Sequence, residues 1–375
     1  MNKILLAHLK KPPYETRIFD KIGKALAFSG DLQISILGNT IASLSEIQIP
    51  ENIRLYSLFQ SRAHFSQIST DLLRFQTFLH SELPDVVVVC SPELLAQAVI
   101  YSLIYKKTLV WDMQENYPFN YSYQETYRWP TNKVLKLLSG TYLSALLPFV
   151  HKVWYAEQIY KDQIQTSRFS VIENKIAHFQ LEANPRLGHK TSNYFLFSGY
   201  LTEESGVLKA LDFFTSYQVT VPEMELFIVG YCPSERLQSI LKSRADLNRS
   251  IHLVGLDHWV LSDRIFEILQ SARAVLMPYK ETKANESKIP TKLFEAASFQ
   301  IPIILPFNSQ FQSVAAKLNV AVLEANFSHP DTNDFIKLES EIASIRDIPR
   351  VTADSFLSFD AEQVNSDIRE FILPA

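Results

Sequence analysis

Hydrophobic and polar positions follow two repeating patterns along most of this chain. Short apolar runs, of which Val86–Val89 is the clearest, are separated by longer stretches whose apolar residues recur every three or four positions. Four valines in a row are typical of a strand covered on both faces, and the longer stretches have the period of amphipathic helices. Strands that alternate with helices in this way predict parallel sheets flanked by helices.

Residues 1–177 contain one complete series of this alternation. The predicted strands are Ile4–Ala7, Gln33–Leu37, Val86–Cys90, Thr108–Asp112, Lys152–Tyr155 and Ser170–Glu173. The predicted helices are Thr16–Phe28, Ser66–His80, Pro92–Lys106, Asn132–Leu147 and Ala156–Gln165. Residues 178–193 are polar, rich in turn formers and without periodicity, so we predict a linker between two domains there.

The alternation restarts at Tyr194 and continues to about residue 355. The predicted strands are Tyr194–Ser198, Glu225–Val229, Ile251–Val254, Ala274–Met277, Ile303–Leu305 and Val320–Leu323. The predicted helices are Leu208–Gln218, Pro233–Arg244, Ser262–Ala272 and Thr291–Phe299, followed by a terminal amphipathic helix over Asp360–Ile372. The fold class predicted is therefore α/β, with two Rossmann-like, doubly wound parallel-sheet domains over residues 1–177 and 194–355.

The helix predicted from Asn132 is apolar around most of its circumference as far as Val150, with Lys133 and Lys136 at its edge. Such a helix can lie on a membrane or bind a lipid-linked acceptor. It can equally be a core helix. The pattern favours the core interpretation and leaves the other open.

Length and composition agree with a two-domain globular protein. The chain has 375 residues, of which 47% are hydrophobic and 20% charged, which excludes a disordered chain. Two cysteines argue against a disulfide framework and suit a reducing cytoplasm. Met1 is followed directly by a predicted strand, so we expect no signal peptide, and no apolar run reaches the roughly 18–20 residues of a membrane span.

Charge is distributed unevenly along the chain. Residues 1–177 carry 18 Lys and Arg against 15 Asp and Glu, whereas the remainder carries 18 against 25. The more basic half could favour an anionic membrane surface or a phosphorylated acceptor, or the difference could be chance scatter. No basic stripe or nucleic-acid motif is present, and we find no metal-ligand cluster, Ser-His-Asp arrangement or Walker loop in the sequence.

The stretch Ser287–Pro306 concentrates the candidate chemistry of the second domain. Pro290 can open the predicted helix, and Lys292 and Glu295, three residues apart, share one flank of it. The N-terminus of a helix attracts phosphate, and a carboxylate nearby can accept hydrogen bonds from sugar hydroxyls. The alternative is an ordinary surface Lys and Glu.

This stretch resembles the donor-site helix of GT-B glycosyltransferases, in a branch similar to glycosyltransferase family 4. Ser287, Pro290, Lys292 and Glu295 match its Ser-x-x-Pro-x-Lys-x-x-Glu pattern. The resemblance implies that Glu295 binds the ribose of a nucleotide. Many relatives carry another Glu eight residues earlier, near the transferred sugar. Ser287 occupies that position here, so its neighbour Glu286 is a candidate catalytic residue.

The loop after the first predicted strand carries polar groups that match the same branch. His8, Arg17 and Lys21 fit its His…Asp-x-Arg-Ile-Phe-x-Lys opening, with Glu15 in place of the Asp. The resemblance implies acceptor-side roles for His8, Glu15 and Arg17. For Glu15, capping of the following helix N-terminus is an equal alternative.

Two carboxylates, Asp112 and Glu115, stand at the end of another predicted strand. They suit a general base or recognition of a hydroxyl, and the alternative is capping and loop packing. The relatives often read Asp-Val-His-Glu here, and the His is replaced by Gln114. A neutral Gln takes no proton, so a base role would fall to Asp112 or Glu115. Ser91 is predicted as a structural N-cap.

Two glycines, Gly199 and Gly206, flank a turn before a helix at the start of the second domain, which allows a diphosphate to approach closely. Many GT-B enzymes place Arg at the position of Tyr200 and Lys at that of Ser205, and both cations are absent here. We therefore assign the phosphate role to Lys292, with Lys288 second. The predicted donor-binding residues are Gly199, Tyr200, Ser205, Gly206, Ser287, Lys288, Lys292 and Glu295.

The resemblance as a whole implies a retaining glycosyltransferase of polysaccharide biosynthesis, of the hexosyl- or N-acetylhexosaminyltransferase class. It would use a UDP- or GDP-linked sugar without a metal or other cofactor, and a glycan or lipid-linked acceptor. It would be cytoplasmic, with peripheral contact to the inner membrane face left open. The resemblance also implies that the C-terminal helix, over residues 360–375, packs back on the first domain. Two alternatives remain, namely a sugar-nucleotide epimerase of the same architecture and a non-catalytic relative.

Overall fold

The computed structural model describes residues 1–28, 30–39, 47–60, 65–123, 130–164, 166–177, 192–279, 289–345 and 358–372. Two compact units divide the chain. The first unit comprises Met1–Ala177 together with Phe359–Ala375, and the second comprises His178–Ser358. The predicted linker, 178–193, falls almost entirely outside the described residues.

A seven-stranded, wholly parallel sheet forms the centre of the first unit, in the order β3-β2-β1-β4-β5-β6-β7. Its strands are β1 Asn2–Ala7, β2 Leu32–Gly38, β3 Ile53–Ser57, β4 Val86–Val89, β5 Thr108–Met113, β6 Lys152–Tyr155 and β7 Phe169–Val171. All four valines of β4 are buried, as expected for a strand covered on both faces.

Helices connect these strands and cover both faces of the sheet. They are a π-helix over Arg17–Gly23 that continues into α1 Lys24–Ala27, then α2 Phe65–Glu82, α3 Leu95–Tyr105, α4 Tyr117–Tyr123, α5 Thr131–Leu146 and α6 Tyr160–Gln163. Successive side chains of a strand point to opposite faces. Trp111 of β5 accordingly joins the core cluster that includes α3 and α5 residues, whereas its neighbour Asp112 meets Arg17 of the π-helix.

The second unit has the same architecture, with a six-stranded parallel sheet in the order β10-β9-β8-β11-β12-β13. Its strands are β8 Tyr194–Ser198, β9 Glu225–Val229, β10 Ile251–Val254, β11 Ala274–Leu276, β12 Ile303–Leu305 and β13 Val322–Glu324. Its helices are α7 Val207–Gln218, α8 Glu235–Leu247, α9 Ser262–Leu269, α10 Thr291–Phe299, α11 Ser309–Lys317 and α12 Thr332–Ser344.

The fold class predicted from the sequence is confirmed in both units. In each sheet the chain starts at a central strand, builds outward on one side, and then returns to build on the other side. The strand order therefore reverses between β1 and β4, and again between β8 and β11. Loops at the carboxyl ends of strands beside such a switch point are where open α/β sheets bind ligands.

Four elements were not predicted from the sequence. Strand β3 reads IRLYS and buries only Ile53 fully, so its apolar pattern is weak. Helices α11 and α12 each contain few buried residues. A capping box between Asp331 and Asp334 stabilises the N-terminus of α12. Residues Tyr117–Tyr123, for which no helix was predicted, form α4.

The segment predicted as a helix over Thr16–Phe28 begins as a π-helix. The backbone N–H of Lys21 donates to the carbonyl of Thr16 at 3.0 Å, five residues back. All seven residues of the π-helix are buried, including Arg17, Asp20 and Lys21. π-Helical turns recur at functional sites, and this one begins at a residue singled out from the sequence.

Helix α5 corrects the prediction of a core helix. Leu143 is its one buried residue, while Leu137 and Leu138 are 70% and 61% exposed. The sequence could not distinguish these cases because an apolar helix looks the same whether its surroundings are protein or solvent. Among the described residues, no helix combines the length and apolar character needed to cross a bilayer.

The terminal helix, α13 Ala361–Ile372, packs in the first unit. Val364 and Ile368 are fully buried, and Asp367 accepts a hydrogen bond from the indole Nε1 of Trp154 at 2.7 Å. The ammonium of Lys152 lies 3.1 Å from the same carboxylate. Strand β6, which carries Trp154 and Lys152, is therefore bonded to a helix from the other end of the chain.

Candidate functional site

A buried ion pair lies at the carboxyl edge of the first sheet. Arg17 donates to both carboxylate oxygens of Asp112, through Nε at 2.9 and 3.2 Å and through Nη2 at 2.5 Å. Both side chains are almost without exposed surface. Burial alone would lower the pKa of Arg17, but the Asp112 carboxylate raises it above its usual value. The remaining nitrogen, Nη1, is buried without a hydrogen-bond partner among the described residues.

A second set of polar groups extends this pair toward the loop after β1. The Lys11 ammonium donates to Glu15 Oε1 at 2.8 Å and to Gln114 Oε1 at 2.9 Å. The Gln114 amide donates in turn to Asp112 at 3.0 Å. Glu15 also accepts from the backbone N–H groups of Arg17 and Ile18, at 3.1 and 3.2 Å. Glu15 therefore caps the π-helix, which is the structural alternative left open for it.

His8 lies at the switch point of the first sheet. Its Nδ1 accepts from the backbone N–H of Lys10 at 3.2 Å and lies 3.2 Å from the Ser91 hydroxyl, which itself accepts from the Leu9 N–H at 2.9 Å. The prediction that Ser91 caps the following helix is therefore wrong, because its side chain makes no capping hydrogen bond. The hydroxyl instead joins the loop after β1 to the end of β4. Because Nδ1 is an acceptor, the ring proton of neutral His8 lies on Nε2.

Burial and the positive charge of Lys11 lower the pKa of His8 to about 3, and Lys11 holds the pKa of Glu15 at about 2 against the effect of burial. Both values lie below the ordinary 6.5 and 4.5. Between pH 6.5 and 3 the unfolded chain binds a proton at His8 that the folded chain does not. Stability therefore falls as the pH drops through this range.

We expect His8→Asn to remove this pH dependence, because the amide keeps an acceptor near Nδ1 and takes up no proton. The slope of unfolding free energy against pH between about 6.5 and 4.5 should fall by up to about 1.4 kcal/mol per pH unit. Urea unfolding at several pH values measures it, and exposed His329→Asn is the control. An unchanged slope in His8→Asn would assign the dependence to other groups.

The two carboxylates predicted as bases have different surroundings. Asp112 is fully buried, and Arg17 and Gln114 occupy both of its oxygens. A base must be reachable by the group that gives up the proton, so direct proton transfer to Asp112 has no geometric support and stays a prediction. Glu115 is exposed, and its Oε2 accepts from the Asn120 amide at 2.6 Å.

Two residues that are 153 positions apart in the sequence meet in the first unit. The buried Lys21 ammonium donates to the side-chain oxygen of Asn174 at 2.6 Å and to its backbone carbonyl at 3.2 Å. Lys21 belongs to the π-helix, and Asn174 follows β7. This bond ties the π-helix that carries Arg17 to the last strand segment before the predicted linker.

Close backbone approaches shape the carboxyl edge of the second sheet. Gly199, Gly206 and Gly230 have φ values of +118°, +83° and +145°. A Cβ at Gly230 would lie 1.8 Å from the Gly199 carbonyl, and one at Gly206 would lie 2.8 Å from the Pro278 carbonyl. Only glycine fits these positions without strain. The loops after β8, β9 and β11 are thereby drawn together.

Lys292 extends into this edge from the first turn of α10. A Cβ placed on Gly199 would lie 2.1 Å from Lys292 Nζ, so the ammonium lies directly over the glycine. Lys292 forms no ion pair with any residue in the described parts of the chain. Glu295 lies on the same helix, one turn further, and is half-buried. The structure thus brings together Gly199 and Lys292, which were predicted separately as donor-binding residues.

Tyr200 and Ser205 take part in local packing. The Tyr200 ring lies 5.9 Å from that of Trp259 and 6.0 Å from that of Tyr231, and burial together with Tyr231 raises its pKa. The Ser205 hydroxyl accepts from the Thr202 N–H at 3.0 Å and donates to the Thr202 carbonyl at 2.8 Å. The contacts of Tyr200 and Ser205 are thus with neighbouring residues of the second unit. The donor-binding roles of these two residues stay predictions.

Three predicted site residues, Glu286, Ser287 and Lys288, lie outside the described residues. Among those that are described, no three His, Cys, Asp or Glu side chains gather in a group suited to a metal ion. Sequence reasoning passed over Lys11, Tyr231 and Trp259. The signal available for Tyr231 and Trp259 was their position after β9 and β10, at the same sheet edge as Tyr200.

Comparison with known proteins gives similarity at the level of structure. No protein-family model and no curated protein sequence matches the chain. HepE from Anabaena, solved in complex with UDP and glucose, superposes with a TM-score of 0.64 at 13% identity, over 99% of each chain. The fold is GT-B. Both parallel sheets, and 99% of the chain, take part in this match.

Other GT-B structures that resemble the chain have different chemistries. Sucrose-phosphate synthase from Thermosynechococcus elongatus matches with a TM-score of 0.62 at 10% identity, over 99% of this chain and 95% of its own. UDP-GlcNAc 2-epimerase from Methanocaldococcus jannaschii, in complex with UDP-GlcNAc and UDP, matches with 0.56 at 12%, over 98% and 99%. The GT-B fold therefore leaves transfer and epimerisation to be separated by the site.

Proposed function

We propose that this protein is a glycosyltransferase that moves a sugar from a nucleotide-activated donor to a glycan or lipid-linked acceptor, with retention of anomeric configuration. The second unit would bind the donor, and the first unit would bind the acceptor. The observation that carries the proposal is Lys292, a cation held over Gly199 at the switch point of the second sheet, without an anionic partner among the described residues.

Lys292 supplies what the diphosphate of a donor requires. The glycine at 199 leaves room for a phosphate, and the N-terminus of α10 adds its positive end to the ammonium of Lys292. These groups would stabilise the charge on the leaving diphosphate, and no metal enters the proposed reaction. Glu295, one turn along α10, would accept hydrogen bonds from ribose hydroxyls. The neighbours solved with UDP favour a uridine donor over a guanosine one.

On the acceptor side we assign Glu115 the direct role. It is the exposed carboxylate at the end of β5, and Asn120 orients it. Arg17 and Asp112, buried beneath the same edge, would fix the position of the β5 end and of the loop after β1. In this proposal Glu115 takes the proton of the acceptor hydroxyl or orients that hydroxyl.

The epimerase alternative is favoured by one observation, the full-length match to UDP-GlcNAc 2-epimerase. The non-catalytic alternative is favoured by the engagement of Tyr200 and Ser205 in packing at positions where many GT-B enzymes have cations. Incubation with a panel of nucleotide sugars and acceptors separates the three. Release of UDP or GDP only with an acceptor supports transfer, conversion of the sugar without an acceptor supports epimerisation, and binding without either supports the third. Added EDTA should leave turnover unchanged.

We expect Lys292→Ala and Glu295→Ala each to weaken UDP binding by about 1–3 kcal/mol, the range of a lost charge-assisted hydrogen bond. Calorimetry on the full chain measures this loss. Lys242→Ala, which removes an exposed cation from α8, is the control for net charge and should bind as the wild type does. Unchanged affinity in both folded variants would exclude α10 as the nucleotide site.

A further inference from the structure

A cavity of about 840 Å³ lies within the first unit, beneath α5. Its walls come from β5, from α4, α5 and α6, and from the segments that join α5 to β6 and α6 to β7. Leu143, Leu147 and Ile164 provide apolar wall, and Lys136 and Arg168 provide the cations. None of the residues assigned above to acceptor or donor lines it.

The indole N–H of one wall residue has no hydrogen-bond acceptor among the described residues. Trp111 of β5 is 1% exposed, and its Nε1–H finds no partner among the described residues. A buried donor without an acceptor is rare in folded proteins and costs free energy. An acceptor atom brought in by a ligand would satisfy it. The two amide oxygens of the wall already accept hydrogen bonds, since Gln163 Oε1 accepts from the Asn116 amide at 2.8 Å and Asn116 Oδ1 accepts from the Phe119 N–H at 3.2 Å.

The cations of the cavity are not matched by carboxylates. Arg168 donates through Nη2 to the carbonyl of Pro148 at 2.9 Å, and neither it nor Lys136 forms an ion pair with a described residue. The lining contains no Asp or Glu. The cavity therefore combines an apolar wall with excess positive charge, which is complementary to an anionic amphiphile.

The surface around α5 suits the same class of ligand. Val134, Leu137 and Leu138 of α5 are exposed, as are Ile100, Leu103 and Ile104 of α3. The two helices are neighbours, since the Tyr142 hydroxyl of α5 accepts from the N–H of Ala96 in the first turn of α3 and donates to the carbonyl of Pro92 just before that helix. Exposed apolar side chains on both helices, with Lys133 and Lys136 beside them, favour contact with an anionic lipid surface.

We propose that this cavity binds the phosphate and the first part of the hydrocarbon chain of a long-chain lipid phosphate. The phosphate would bind Lys136 and Arg168, one of its oxygens or a bridging water would accept from Trp111, and the chain would lie along Leu143 and Leu147. The inference rests on the proposed function in one respect, that the lipid carries the acceptor. The binding step itself is independent of the donor site.

Dodecyl phosphate, kept below the concentration at which micelles form, is the probe for this site. Calorimetry on the full chain should show binding that is at least roughly tenfold tighter than that of dodecyl maltoside or inorganic phosphate. Lys136→Glu should weaken it by about tenfold or more. Lys133→Glu is the matched control, because it changes the charge of the same helix equally but does not line the cavity. Equal losses in both variants would overturn the cavity in favour of a nonspecific surface effect.

Gly140 offers a second, independent test. It lines the cavity, and a Cβ there would have no atom within 4 Å. Gly140→Leu should fill the cavity and abolish binding of dodecyl phosphate, whereas Gly140→Ala should keep it. Both changes replace a glycine inside a helix, so neither should destabilise the fold. Unchanged binding in Gly140→Leu overturns the inference. UDP binding, measured on the same variants, reports separately on the proposed function.

Discussion

Arg17→Met is expected to destabilise the first unit by about 3–5 kcal/mol, because it leaves the Asp112 carboxylate buried without its cation. Asp112 has no exposed surface, and Gln114 would be its one remaining side-chain partner among the described residues. Asp112→Leu should have an effect of similar size, since it leaves the Arg17 guanidinium uncompensated. Urea unfolding followed by circular dichroism measures both losses.

The double variant Arg17→Met, Asp112→Leu should recover most of the stability lost in either single variant, because two apolar side chains replace the pair. Lys107→Met provides a control, as it breaks the Lys107–Asp85 pair, whose side chains are 31% and 34% exposed. That change should cost at most about 1 kcal/mol. If the single variants at Arg17 and Asp112 lose no more unfolding free energy than this control, the buried ion pair does not stabilise the first unit.

Glu115→Gln is expected to reduce turnover by about 10²–10⁴-fold while donor affinity stays near that of the wild type. The amide keeps the size of the side chain and an oxygen that can accept from Asn120, but it takes up no proton. Nucleotide release in the presence of the acceptor that the panel identifies gives the rate, and calorimetry with UDP gives the affinity.

Two further variants help to interpret that result. Glu51→Gln changes an exposed carboxylate elsewhere in the first unit and should leave turnover unchanged. Asn120→Ala keeps the Glu115 charge but removes the amide that orients it, so a smaller loss of turnover is expected. Full turnover in Glu115→Gln would show that the acceptor is activated by another group.

The sequence predicted the fold well because buried parallel strands leave a strong signal. The strand at Val86–Val89 can be recognised from its own four residues, since a strand covered on both faces is apolar throughout. Strand β3, at the edge of its sheet, carries Arg54 and Ser57 and gives no such signal. Helices α11 and α12 of the second unit bury only three and two residues respectively, so their apolar pattern is also weak.

Within the candidate site, sequence reasoning identified residues but not their partners. Arg17 and Asp112 were both singled out, yet they are separated by 95 positions, and nothing local shows that each neutralises the other. Asp112 and Glu115 looked equivalent at a strand end. Asp112 belongs to β5, whose last five residues are all buried, whereas Glu115 lies in the loop that follows and is exposed. This difference changes which carboxylate is available for chemistry.

The loop that holds Gly199 shows the same limit in the second unit. Two glycines beside a turn are visible in the sequence, but the contact between Lys292 and Gly199 spans two elements and follows from the order of strands β8, β11 and β12. The cluster of Tyr200, Tyr231 and Trp259 likewise assembles from the ends of β8, β9 and β10. Such clusters become predictable only after the strand order is known.

The bond between Trp154 and Asp367 has a consequence for biosynthesis. A ribosome that has completed residues 1–177 has already synthesised all seven strands of the first sheet, but neither Asp367 nor the apolar face of α13. Until the second unit has been translated, the indole Nε1 of Trp154 lacks its carboxylate and one patch of the sheet lacks its cover. The first unit therefore stays incomplete while nearly half of the chain is synthesised. During this interval its uncovered apolar surface is available to a chaperone.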